Sequence, residues 1–202
     1  MPYSTPLLDT SPGSHTSTRP VLWLVRHGES TWNARGLAQG HDDQARLTSR
    51  GVRQARAIAV QLRDRPIRAL YASDLRRALQ TAAPLAGALG LTVVRDTRLR
   101  ERCLGAAEGT AAASISPAIS GISDGRVVNA DASPDGGESL RDFYRRVARF
   151  TGDLADTGRD GEVAIVAHGG TLRMLTACRQ GVPVEEMTWG PLANATVLRS
   201  PA

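Results

Sequence analysis

Val21-Leu22-Trp23-Leu24-Val25-Arg26-His27-Gly28-Glu29-Ser30 is the stretch from which the rest of the chain can be understood. Five apolar residues in a row suit a buried strand, and polar, chemically capable residues begin where that strand ends. The same plan recurs twice. Ile67-Arg-Ala-Leu-Tyr-Ala72 runs into Ser73-Asp74-Leu75-Arg76, and Val163-Ala-Ile-Val-Ala167 runs into His168-Gly169-Gly170-Thr171. Between these strands lie helical patterns. Over 48–65, Val52, Ala55, Ile58, Ala59 and Leu62 recur at helical spacing before Pro66. A second helix opens with Ser73 or Asp74 as N-cap and stops at Gly90. A third, over 138–155, carries an apolar stripe from Leu140 through Phe143, Tyr144, Val147 and Phe150 to Leu154. A fourth runs over 169–179, with short strands expected at 91–94 and 195–199. Strands alternating with helices predict an α/β fold, a three-layer sandwich with a mainly parallel central sheet and helices on both faces. In such a sheet the three polar segments emerge together at the carboxyl ends of the strands, where ligands bind.

Two His and two Arg are thereby expected at one edge. Gly28 and the Gly169-Gly170 pair would let backbone approach a ligand closely, and N–H groups at the following helix starts favour an anion. The combination fits a phosphate.

Composition limits what else the chain can do. All 25 cations among the 202 residues are Arg. The absence of Lys excludes the Walker A loop, the protein-kinase lysine and Schiff-base chemistry with pyridoxal phosphate. Residues 1–102 hold 16 Arg and 8 acids, residues 103–202 hold 9 and 12, so the halves carry +8 and −3. A pI near 10.2 reflects the guanidinium pKa more than a nucleic-acid surface, and 4% aromatic residues leave few stacking platforms for single strands. Nucleic-acid binding is not expected. Cys103 and Cys178 are isolated, so neither a disulfide framework nor a metal or redox motif is read. No apolar run is long enough for a membrane span, and residues 1–19, rich in Ser, Thr and Pro, lack the apolar core of a signal peptide. The expectation is a cytoplasmic protein with a flexible extension at 1–19 and one domain at 20–202. Residues 105–137, rich in Gly, Ala, Ser and Pro, would form a loop or small lid.

The ordered series of short segments resembles the histidine phosphatase superfamily, the phosphoglycerate-mutase-like group. Leu24-Val-Arg26-His27-Gly28-Glu-Ser-Thr-Trp32-Asn33 matches its signature. The likeness continues in Gln39-Gly40, Leu47-Thr48 with Gly51, Ser73-Asp-Leu-Arg76-Arg-Ala78, Leu99-Arg-Glu101, Glu108-Gly109, Gly136-Gly-Glu138-Ser139 and Ala167-His168-Gly-Gly170. It runs from about residue 21 to residue 198. The resemblance implies that His27 is the nucleophile, its second ring nitrogen held by a backbone carbonyl, and that it forms a phosphohistidine. Arg26, Arg76 and His168 would hold the phosphoryl oxygens. Glu101 would give a proton to the leaving oxygen and then activate water; its plainer alternative is a salt bridge with Arg100 or Arg102. Asn33, Gln39 and the N–H of Gly170 would add phosphate or substrate contacts. Neither metal nor cofactor is implied, the partner would be a small phosphorylated metabolite, and a homodimer is allowed.

Other residues are given no role: His15 and His41 lack partners at ligand spacing, and Glu108 could close a turn. Cys103 and Cys178 are not followed six positions later by the Arg that cysteine phosphatases need. Within the family, the short uncharged segment after Glu101 and the Gln39-Gly40 pair favour hydrolysis over the mutase alternative, phosphate transfer of the phosphoglycerate mutase type. A remote alternative is a serine hydrolase, because Gly121-Ile-Ser123-Asp-Gly125 fits the G-x-S-x-G elbow; that motif requires a strand before it and a helix after it.

Overall fold

The computed structural model describes residues 19–156 and 161–201. In chain order the elements are β1 (Val21–Arg26), α1 (Thr31–Ala34), α2 (Ser49–Leu62), β2 (Ile67–Ala72), α3 (Arg76–Leu89), β3 (Val93–Arg95), α4 (Pro117–Ser120), β4 (Ile122–Ser123), β5 (Arg126–Val127), α5 (Leu140–Asp156), β6 (Glu162–Ala167), α6 (Gly169–Gln180) and β7 (Val197–Ser200). The main sheet has the order β3-β2-β6-β1-β7. β1, β2, β3 and β6 are parallel, and β7 lies antiparallel on β1. The mainly parallel sheet expected from the alternation of elements is therefore present, with its antiparallel strand at one edge.

The uninterrupted apolar runs follow from burial on both faces. Leu22, Leu24, Val163 and Ile165 pack against Leu140, Phe143, Val147 and Phe150 of α5 and Leu172 and Leu175 of α6. Their neighbours Trp23, Val25, Ala164 and Val166 pack on the opposite face against Ile58 and Leu62 of α2 and Ala78, Ala82 and Leu85 of α3. Successive strand residues thus feed different cores, as the two-residue period requires. Between Ile67 and Ala69 the pairing of β2 with β6 shifts register, which places Ile67 and Leu70 in the same core.

Several expectations need adjusting. The helix after β2 opens at Arg76 with Leu75 as N-cap and no side-chain cap, so neither Ser73 nor Asp74 caps it. Gly28 does not lie open for a ligand: a Cβ there would stand 2.6 Å from the carbonyl oxygen of Gly51, and one on Gly51 would stand 2.1 Å from that of Glu29. These glycines let the first turn of α2 press directly on the loop after β1. Thr48 caps α2 through Gly51 N at 3.0 Å and donates to Glu29 Oε1 at 2.8 Å, fastening the same junction.

The segment 105–137 is folded. It holds short 3-10 turns, α4 and a two-stranded ribbon of β4 with β5. Arg102 organises it: the buried guanidinium donates to the carbonyls of Glu138, Ser120 and Ala132 at 2.6, 2.5 and 2.7 Å. Ser123 lies in that ribbon, followed by Asp124 at φ 48 and then by β5. The strand-turn-helix of a nucleophile elbow is not there, and the serine-hydrolase alternative is corrected on that ground. Of the extension at 1–19, residues 1–18 lie outside the described residues. Among the described residues no helix is long and apolar enough to cross a membrane.

Candidate active site

At the carboxyl edge of β1, β2 and β6 a cleft of about 620 Å³ is lined by Arg26, His27, Gln39, Arg77, Glu101, His168 and Gly170, with Arg173 and Trp189 on one side and lid residues on another. His27 is 2% exposed and His168 1%; their ring centroids are 5.1 Å apart in an edge-to-face arrangement. His27 Nδ1 lies 2.8 Å from the Gly28 carbonyl oxygen. A carbonyl only accepts, so Nδ1 carries the proton and Nε2 keeps its lone pair. Burial first, then Arg77 and Arg26, hold the His27 imidazole well below its ordinary pKa. The ring is neutral at neutral pH, as a nucleophile must be. Its backbone is steadied as well: the carbonyl accepts from Ala195 N at 3.1 Å and from Asn194 Nδ2 at 3.3 Å.

His168 is set by β2. Ser73 Oγ accepts from Leu75 N at 3.3 Å and stands 2.8 Å from His168 Nε2. The Ser73 hydroxyl can donate to Nε2, a pairing that leaves the ring's own proton on Nδ1. That atom is buried and has no partner. Burial, then Arg77, His27 and Arg26, push this imidazole well below its ordinary pKa too. Two further buried nitrogens are equally unpartnered: Arg26 Nε and Arg77 Nε. Buried polar atoms are rarely left so, and all three belong to side chains lining the cleft around His27.

Arg77 requires a correction. The expected anion-binding residue was its neighbour Arg76, yet Arg76 is exposed and does not line the cleft; its backbone N donates to Asp43 Oδ1 at 2.5 Å. Arg77 is fully buried, donating through Nη1 to Asp42 O at 2.9 Å and through Nη2 to Gly40 O at 2.8 Å. Burial lowers its pKa to about 10 against the pull of Glu101 and other acids, so it remains a cation at neutral pH. Helical spacing would have found it: Arg77, Thr81 and Leu85, four apart, are all fully buried, whereas Arg76 and Gln80 share the exposed side.

Glu101 stands at the cleft without either expected salt-bridge partner. Arg100 pairs with Asp74 at 2.7 and 2.5 Å, and the Arg102 guanidinium is spent on lid carbonyls. The Glu101 carboxylate instead accepts from Arg102 N and Gly170 N, each at 2.9 Å. A Cβ on Gly170 would fall 2.2 Å from Glu101 Oε1, so only glycine allows this approach. The Gly170 N–H, expected to contact phosphate, is occupied by Glu101. His41, given no role from sequence, donates from Nε2 to the Glu101 carbonyl at 2.8 Å, and Arg146 Nη2 adds a bond at 3.0 Å; both are positioning residues. Glu108 is a tie between loops, accepting from His41 N at 2.8 Å and Leu104 N at 3.0 Å.

Gln39 lines the cleft, its Oε1 accepting from Ser30 Oγ at 2.8 Å. Asn33 does not line it. Its Oδ1 accepts from Ser30 N and Asn194 Nδ2 at 3.1 and 3.0 Å, which joins the capping box of α1 to the support beneath His27. Arg173, unforeseen from sequence, contributes a further guanidinium to the cleft beside those of Arg26, Arg77 and Arg102. Among the described residues no group of three or more His, Cys, Asp or Glu is placed to hold a metal ion.

Known proteins resemble this chain in sequence and fold. A probable phosphoglycerate mutase of Yersinia pestis is 33% identical over 186 residues, 88% of this chain and 83% of its own. A mycobacterial glucosyl-3-phosphoglycerate phosphatase solved with VO3 superposes with a TM-score of 0.79 at 34% identity, covering 89% of this chain and 90% of its own. A phosphoserine phosphatase of Entamoeba histolytica, solved as a mutant with phosphoserine, gives 0.76 at 25% identity over 89% of each chain. The family model for the histidine phosphatase superfamily (branch 1) matches residues 22–200, and with that match over most of its length the chain belongs to this superfamily.

Proposed function

We propose that the protein is a phosphomonoesterase that hydrolyses a small phosphorylated metabolite through a phosphohistidine on His27. One observation carries this most: three buried, unpartnered nitrogens, Arg26 Nε, Arg77 Nε and His168 Nδ1, surround a neutral imidazole whose Nε2 is free. They form a set of donors suited to the three equatorial oxygens of a phosphoryl group. His27 Nε2 attacks phosphorus in line while the leaving oxygen departs on the far side. Glu101 protonates that oxygen, then takes a proton from the water that cleaves the phosphorus–nitrogen bond. Phosphate leaves and His27 returns neutral.

Hydrolysis is favoured over phosphate transfer by the lid. Its contributions to the cleft are Ala112, Ile115, Ser120 and Ile122, none charged, so the lid itself adds no cation with which to retain a bisphosphorylated intermediate. The phosphatase neighbours support the same choice, and the mutase-named relatives keep the alternative in view. Turnover of p-nitrophenyl phosphate in the presence of EDTA, lost in His27→Ala, tests the mechanism. With 3-phosphoglycerate, release of inorganic phosphate without formation of 2-phosphoglycerate is the hydrolase result; accumulation of 2-phosphoglycerate would reverse the assignment.

A further inference from the structure

His27 Nε2 keeps its lone pair only while the Gly28 carbonyl holds the ring proton on Nδ1, 2.8 Å away, because the other tautomer carries that proton on Nε2. The aim of one carbonyl is therefore a condition of the chemistry. Glycine is the residue least able to supply that aim, since it has no Cβ to restrict its φ and ψ. No other residue fits, because the Gly51 carbonyl oxygen stands 2.6 Å from where a Cβ on Gly28 would lie. The restriction has to come from outside.

It comes through hydrogen bonds to both peptide units that flank Gly28. A peptide unit is planar and trans, so its C=O and N–H point in opposite directions, and fixing one aims the other. The N–H that shares a unit with the Gly28 carbonyl is that of Glu29, and it donates to Gln54 Oε1 at 2.8 Å. Gln54 lies three residues past Gly51 on α2, so the close contact at Gly51 also brings this amide within reach. The preceding unit is held at both ends. Its carbonyl, that of His27, accepts from Asn194 Nδ2 at 3.3 Å and Ala195 N at 3.1 Å, and its N–H donates to Thr81 Oγ1 at 3.0 Å. Asn194 Nδ2 also donates to Asn33 Oδ1 at 3.0 Å. Ala195 sits at φ 62, a left-handed conformation costly for a residue with a side chain and kept only where surrounding contacts impose it. A backbone N–H only donates and a carbonyl only accepts, so Gln54 presents its oxygen here and Asn194 its nitrogen.

We infer that Gln54 and Asn194 are positioning residues for the nucleophile: one accepting and one donating, they hold the peptides on either side of Gly28 so that its carbonyl keeps the His27 proton on Nδ1. This rests on the nucleophilic role of His27 proposed above. The test compares side chains of nearly equal size. Gln54→Met removes the acceptor and Asn194→Asp removes the donor, whereas Gln54→Glu keeps an acceptor. In protein isotope-labelled at the ring nitrogens of its four histidines, with His27 assigned by His27→Ala, nitrogen chemical shifts read the tautomer directly. Wild type is expected to carry the His27 proton on Nδ1 alone, Gln54→Met and Asn194→Asp to show a mixture of tautomers, and Gln54→Glu to recover the wild-type pattern. Unmoved His41 signals show that each variant is folded. In parallel, kcat/KM for p-nitrophenyl phosphate falls about tenfold in Gln54→Met and Asn194→Asp, as for a small misplacement of a reacting group, and recovers to within about threefold of wild type in Gln54→Glu. Inhibition by inorganic phosphate, which reads Arg26, Arg77 and His168, changes less than about twofold in all three. A pure Nδ1–H tautomer in both Gln54→Met and Asn194→Asp overturns the inference, and so do equal losses in Gln54→Met and Gln54→Glu. A wild type that keeps the proton on Nδ1 yet hydrolyses no phosphomonoester would instead overturn the phosphatase assignment and leave the positioning roles standing.

Discussion

Exchanging either of two adjacent arginines separates the structure from the simplest motif alignment. Arg77→Ala removes a fully buried guanidinium whose Nε faces no partner and whose other nitrogens hold Asp42 O and Gly40 O. In a water-poor cleft, one such donor to the transition-state phosphoryl group is worth about 3–4 kcal/mol, or roughly 10²–10³ in kcat/KM. Stability falls separately. The two bonds to carbonyls contribute about 1.5–3 kcal/mol each, partly offset by no longer burying a charge. A net loss of about 2–4 kcal/mol would lower Tm by roughly 4–16 °C for a domain of this size. Arg76→Ala should stay within about 0.5 kcal/mol of wild type in stability and near wild type in rate, because its side chain is exposed and the bond to Asp43 uses its backbone N. The assay is steady-state hydrolysis of p-nitrophenyl phosphate at a temperature where circular dichroism shows both variants folded. Equal damage from the two substitutions, or a folded Arg77→Ala within about threefold of wild type, a loss of under 1 kcal/mol, would refute the phosphate-binding role.

Other outcomes follow from the same geometry. Glu101→Gln should lower kcat/KM, which reports phosphorylation of His27, by about 10²–10³ for an alkyl phosphate, as expected for loss of a general acid, and far less for p-nitrophenyl phosphate, since nitrophenolate leaves unaided; equal losses in kcat/KM would contradict the proton-donor role. Gly170→Ala should cost about 10² in kcat through displacement of the Glu101 carboxylate by a Cβ that would otherwise sit 2.2 Å away, with KM little changed. His27 and His168 are both held well below their ordinary pKa, so the unfolded chain binds more protons than the folded one below about pH 6.5. The contribution of this pair to stability is fully present above that pH and declines as pH falls through it, by up to about 2.7 kcal/mol per pH unit; denaturant titrations from pH 7 to 5 measure it, and His168→Asn should flatten the slope. Ser123→Ala should leave activity unchanged, because that hydroxyl lies in the lid ribbon with Asp124 Oδ2 at 3.2 Å.

What the chain discloses before folding is governed by how local the signal is. The runs at Val21–Arg26, Ile67–Ala72 and Glu162–Ala167 are recognisable because strands buried on both faces need unbroken apolar sequence, and a polar residue at the end of each marks the functional edge. His27, Arg26, Glu101 and His168 follow from those ends and from the family resemblance. Arg76 and Arg77 are equivalent as motif residues, and only the helical phase that buries Arg77 with Thr81 tells them apart. Arg173 and Trp189 meet only through tertiary contact of α6 with the loop after residue 186, and no local pattern announces a cation stacked on a distant ring. The roles of Gly28 and Gly51 were likewise hidden, since each is glycine because of the other's backbone. His41 looked solitary because its partner is a main-chain carbonyl 60 positions away.

The central claim is a covalent bond between His27 Nε2 and phosphorus. Rapid quenching of the enzyme in alkali during turnover of a radiolabelled phosphomonoester, followed by peptide mass spectrometry, tests it directly. The structure predicts one phosphoryl group on the peptide containing His27, labile to acid and stable to alkali, formed at least as fast as turnover and absent from His27→Ala. Turnover by wild type with no label on that peptide, or label on a different residue, would contradict it.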